Sequence, residues 1–162
     1  SGPRTIDGKA VFDEKGRYEV PRESEIVYQY GDDVKVFCSQ GAGRKSGTEF
    51  FGTKGSIYVD RGKLQSDPED IVRQPLRDNE VHLYRSKNHL DDWYGCIKSR
   101  KLPICDVEIG HRTATVCHLG SISMRLGRKI RWDAGEEKIV DDAFASKMLS
   151  YTYRAPWKLP RV

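Results

Sequence analysis

Gln40–Asp60 reads QGAGRKSGTEFFGTKGSIYVD, and its five glycines and three basic residues raise the question of a phosphate-binding loop. A P-loop needs glycine-rich backbone that opens straight into a helix, so that the amides point at the phosphates. Here Gly52-Thr53-Lys54-Gly55 leads into Ser56-Ile57-Tyr58-Val59-Asp60. Those β-branched and aromatic residues favour a strand. Gly41-x-Gly43 fails the same test, because no helix pattern follows it. The glycines instead serve a hairpin loop over 41–47 and a tight turn at Thr53–Lys54. The stretch therefore points away from a dinucleotide fold and toward a meander of short antiparallel strands.

Strands continue on either side. Thr5–Phe12 is one candidate. Glu25–Tyr30 and Val34–Ser39 flank Gly31-Asp32-Asp33 and alternate at period two, which predicts an antiparallel hairpin. Glu49–Phe51, Ser56–Asp60 and Lys63–Ser66 are short strands separated by glycines. Residues 67–80 are polar and bounded by prolines, and read as loop.

The second half has helical period. Asn88–Arg100 carries Leu90, Trp93, Tyr94 and Ile97 on one face, and Pro103 lies beyond its end. Asp106–Leu126 carries a longer stripe through Ile109, Val116, Leu119, Ile122 and Ser123. A short strand over Lys129–Asp133, a short helix over Asp142–Leu149 and an extended aromatic tail over 150–162 complete the chain. Strands first and helices after predict an α+β domain over 1–162, an open, predominantly antiparallel β-sheet with helices packed on one face.

The bulk numbers agree. The chain has 162 residues, 37% apolar and 32% charged, with a net charge of +4. Acids and bases alternate along it, which leaves no nucleic-acid footprint. No run reaches the ~18 apolar residues that suggest a membrane span. Four cysteines form no C-x-x-C pair and no closely spaced Cys/His set, which reads against a metal site and for free thiols in a reducing compartment. The beginning Ser-Gly-Pro, without methionine, suggests a piece of something longer.

Residue patterns alone single out few groups for chemistry. His111 and His118, seven apart, share a face of the long helix, and His111 lies near its positive end, a place suited to a neutral imidazole touching a substrate. A metal would want closer spacing and a third ligand. The basic run Arg125–Arg131 can hold an anion or simply be a solvated helix end. The aromatics Trp93, Trp132, Tyr151, Tyr153 and Trp157 read as core and docking residues.

From Asn88 onward the chain strongly resembles the C-terminal domain of the Gfo/Idh/MocA oxidoreductases. The motifs are N-H-x-x-x-W-x-x-C-I-K-S-R at Asn88–Arg100, E-I-G-H-R at Glu108–Arg112, C-H-L-G-x-I at Cys117–Ile122, and L-G-R-K-x-x-W-D at Leu126–Asp133. In this form the motifs resemble a bacterial-type branch of the family; Gly52–Gly62 and Tyr153–Leu159 resemble the same branch, so matching pieces span about 24–159. The resemblance implies a parent enzyme that transfers hydride between NAD or NADP and a sugar-like hydroxyl or ketone. Its Rossmann half would hold the cofactor and a Glu-Lys-Pro motif. This chain has neither that half nor that motif, so no catalytic or cofactor-binding residue carries over, and no cofactor is expected on this chain alone.

The resemblance then implies a substrate-binding and oligomerisation domain, inactive alone, with its missing Rossmann domain and a small sugar-like substrate as partners. His111, Arg112, Asn88 and His89 fall in the strongest motifs and are the candidate substrate-binding residues. Large apolar residues on both faces of Glu25–Ser39 add the expectation of a homo-oligomer through the sheet. Two rivals stand: an assembly module without catalysis, and a metal-dependent lyase using His111 and His118. The compartment stays open; thiols favour cytoplasm, while relatives of this branch are often exported.

Overall fold

The computed structural model describes residues 2–16, 20–31, 33–43 and 45–158. Two compact units make up the chain, one from 1–42 with 107–162 and one from 43–106. The first holds a five-stranded sheet in which every adjacent pair is antiparallel. Strands β1 (Thr5–Val11), β2 (Glu23–Tyr30) and β3 (Val34–Gln40) form one side of it. Strands β7 (Ile130–Asp133) and β8 (Lys138–Val140) form the other, giving the order β3-β2-β1-β7-β8.

The period-two pattern sets this register. Ile6 lies opposite Tyr28 on one side and Ile130 on the other, and Ile26 lies opposite Cys38. These residues share one face, as alternate positions of paired strands must. Ile6, Ile26, Tyr28, Ile130, Trp132 and Ile139 bury that face. Leu119 and Ile122 of α2 (Val107–Leu126) and Ala145 of α3 (Ala143–Ser146) cover it.

Close approach of α2 to the sheet depends on two glycines. A Cβ at Gly120 would stand 2.2 Å from the Tyr28 hydroxyl, and one at Gly8 would stand 2.8 Å from the Met124 backbone nitrogen. Ser123 fills the remaining polar gap. Strand β7 pairs with β1 only at Thr5 and Ile6. The Gly8 amide therefore donates to Ser123 Oγ at 2.7 Å, and that hydroxyl faces the carbonyls of Arg128 at 2.9 Å and Ile6 at 3.1 Å. A helix serine thus stands in for a missing ladder bond, as buried backbone groups require.

The second unit carries the meander announced by the glycines. Strands β4 (Thr48–Gly52), β5 (Gly55–Asp60) and β6 (Lys63–Asp67) form a separate three-stranded sheet. The β4–β5 turn is Thr53–Lys54 between the paired Gly52 and Gly55. Gly55 has φ of 142°, and a Cβ there would lie 2.1 Å from the Asp67 carbonyl oxygen. Residues 67–80, read as loop, hold one 3-10 turn at Glu69–Val72. Helix α1 (His89–Ser99) follows, with no buried residue.

The α+β class, the antiparallel pairing and the helical segments match the sequence reading. Three details differ. The strands form two sheets rather than one, because local alternation does not specify which strand edges meet. Strand β8 is an addition: Lys138–Val140 is only three residues long, too short to show a period. The stripe on α2 is buried only at its C-terminal half, through Leu119, Gly120, Ile122 and Ser123, whereas Ile109 is half-exposed.

Candidate functional site

On α2, His111, Thr115, His118, Ile122 and Arg125 recur at helical spacing and line one cavity of about 560 Å³. Trp132 of β7 and Glu137 of the β7–β8 turn add to its wall, as do Met148, Leu149, Ser150, Tyr151 and Tyr153. The Tyr151 and Tyr153 rings stack there, 5.3 Å apart and 25° from parallel. The volume falls within the ~300–1,000 Å³ of small-molecule pockets.

One charged network is fixed in this wall. His111 Nε2 lies 2.9 Å from Glu137 Oε1 and 3.0 Å from Oε2. Arg112 donates through Nε to Glu108 at 2.7 Å and through an NH1 proton to the Ala134 carbonyl at 2.9 Å. It also stands 3.5 Å from Glu137. The Glu108 hydrogen bond and charge, with Glu137 adding to them, hold the Arg112 guanidinium above its usual range. Arg112 thus ties the first turns of α2 to the β7–β8 turn, and Glu137 fixes the His111 ring.

The turn itself is shaped by Asp133. Its carboxylate accepts from the backbone amides of Glu136 and Gly135, at 3.0 and 2.9 Å, and is held below the ordinary carboxylate range by those bonds. Glu137 follows at φ of 49°, the left-handed region that glycine usually occupies.

The basic run separates into distinct roles. Arg128 pairs with Asp142 at 2.5 Å, and Arg131 pairs with Asp141. Only Arg125 of these three arginines lines the cavity. Asp142 also caps α3 by accepting from the Ala145 amide, and this bond, followed by Arg128, lowers its pKa.

The predicted site residues fall in two places. His111 lines the cavity and Arg112 braces its wall. Asn88 and His89 belong to the other compact unit. Asn88 is the N-cap of α1, its side-chain oxygen accepting from Leu90 N at 2.8 Å and Asp91 N at 3.3 Å. His89 is the first residue of that helix. Sequence reasoning missed Glu137, Tyr151 and Tyr153 as wall residues. Arg125 entered the sequence reading only within the basic run, and its helical spacing from His111 and His118 is the signal that sets it beside them.

Among the described residues, no group of three or more His, Cys, Asp or Glu is placed to hold a metal ion. The glycine turns run into β4 and β5, so their amides form no helix N-terminus for a nicotinamide cofactor's phosphates. No described helix is long and apolar enough to cross a membrane.

The cavity joins an apolar lining to a few polar side chains, the usual make-up of a small-molecule site. Over residues 12–159 the chain matches the profile described as the oxidoreductase family, C-terminal alpha/beta domain. It therefore belongs to the Gfo/Idh/MocA oxidoreductase family, as that family's C-terminal domain. No curated protein and no solved structure matches it.

Proposed function

We propose that this chain is the substrate-binding and oligomerisation domain of an NAD(P)-dependent oxidoreductase acting on sugar-like substrates, inactive by itself. The observation that carries the substrate role is the cavity between α2 and Met148–Tyr153, where His111 is oriented by Glu137 beside a tyrosine pair. Hydrogen-bonding side chains next to flat aromatic faces suit a hydroxylated ring. In this reading His111 contacts a substrate hydroxyl and Arg112 positions the wall that holds it. Asn88, whose oxygen is engaged as a cap, offers its NH2 group, and His89 its ring, to substrate or to the parent's other domain. The cofactor and the hydride chemistry belong to a Rossmann domain outside this sequence.

Calorimetry with NAD(H) tests the division of labour, on this chain and on a form extended through the natural N-terminus of its parent. Binding by the extended form alone is expected. Binding by the 162-residue chain would overturn the proposal and return attention to the glycine turns. In the parent enzyme, His111→Ala should lower kcat/KM by about 10²-fold or more, the scale of a positioned acid-base or orienting group. An unchanged kcat/KM with a normal unfolding curve would remove His111 from the site.

A further inference from the structure

The charges around the cavity narrow its ligand further. Among the described residues Glu137 is the one carboxylate in the lining, and His111 and Arg112 already face it at 2.9 and 3.5 Å. Arg128 and Arg131 are paired with Asp142 and Asp141. Arg125 enters the cavity with no lining carboxylate left to balance it, and His118 stands two turns earlier on the same face of α2. The stacked Tyr151 and Tyr153 rings line the same cavity.

We propose that this cavity takes an anionic sugar, with the ring against Tyr151 and Tyr153 and its carboxylate or phosphate on Arg125. The inference rests on the sugar reading above and adds the charge. A guanidinium offers two parallel N–H groups that match the two oxygens of either anion. A neutral sugar would leave that donor pair to water. Tyrosine supplies a flat apolar face for the ring carbons and a phenolic hydroxyl at its edge.

The test is amide-resolved NMR titration of the 162-residue chain, at matched ionic strength, with glucuronate, glucose 6-phosphate and glucose as probes. Glucuronate or glucose 6-phosphate should shift the amides of α2 and 148–153 and bind at least about tenfold tighter than glucose, as loss of a charge-assisted pair implies. The tighter of the two anions identifies the source of the negative group. Arg125→Gln should bring that anion down to the affinity of glucose, and Arg125→Lys should retain most of the preference. Because Arg125 is exposed, both variants should keep the wild-type spectrum elsewhere. Glucose binding as tightly as both anions would overturn the anionic assignment and leave a sugar site in place. No cavity shift with any probe would overturn both readings. An anion preference that survives Arg125→Gln would overturn the role of Arg125.

Discussion

Glu137 has two opposed effects at one position. Its φ of 49° costs about 1 kcal/mol for a residue with a Cβ, while its half-exposed pair with His111 returns about 0–1 kcal/mol. Glu137→Gly should therefore leave stability unchanged or raise it by about 1 kcal/mol in urea unfolding, while weakening sugar binding in the cavity. A clear loss of stability would show that the carboxylate serves the fold instead. Ser123 carries the opposite expectation. Ser123→Ala would strand the buried Gly8 amide and two carbonyls, and should destabilise by about 1–3 kcal/mol. Tyr28 gives the fold an alkaline limit. Burial first, with the neighbouring Cys38 and Cys117 adding to it, pushes its hydroxyl from 10.0 up to about 12. The folded state thus favours the neutral phenol, so this stability is complete below pH 10 and is lost as the pH rises toward about 12. Unfolding curves across that window should show the loss in the wild type and a shallower slope in Tyr28→Phe; equal slopes would exclude Tyr28 as the source.

At the level of elements, the approach of α2 to β1 and β2 is set by missing side chains. Gly120→Ala would drive a Cβ into Tyr28 and Ile26, and should cost about 1–3 kcal/mol and lower the Tm. A neutral result would mean that α2 can slide on the sheet. This contact also shows what a sequence can and cannot disclose. The β2–β3 hairpin was legible because Ile26, Tyr28, Val34 and Val36 alternate across a Gly31 turn. Both long helices were legible from their apolar period. The helix–sheet junction was not: the stripe places Ser123 on the buried face, but nothing local says that it bonds Gly8 and Ile6 of strand β1, more than a hundred residues away. The site divides in the same way. His111 and His118 share a face by spacing alone, whereas Glu137 reaches His111 only because the β7–β8 hairpin turns back over α2. Tyr151 and Tyr153 were visible as aromatics, but nothing local says which surface a tail will lie against.

For the whole molecule, the question is what meets the bare side of the five-stranded sheet. Register places Val27 opposite Phe37, and both lie on the face away from Ile26, Tyr28 and α2. Phe37 is 67% exposed and Val36, on the other face of the same strand, is 45% exposed. All seven residues of β3 are exposed, so this strand presents apolar side chains on both faces and an unpaired edge. Such an edge invites association unless it is covered. We propose that a second copy covers it, which fits the oligomerisation role argued for the domain. Light scattering should then give a dimer mass, with about 800 Å² buried on each copy if the contact is of ordinary size. Phe37→Asp adds a charge to the edge-strand part of that face, on the side away from the α2 core. It should yield a monomer with unchanged far-UV circular dichroism. A wild-type chain that stays monomeric at high concentration would assign this face to solvent or to another domain of the parent enzyme. A dimer indifferent to Phe37→Asp would place the contact on a different surface.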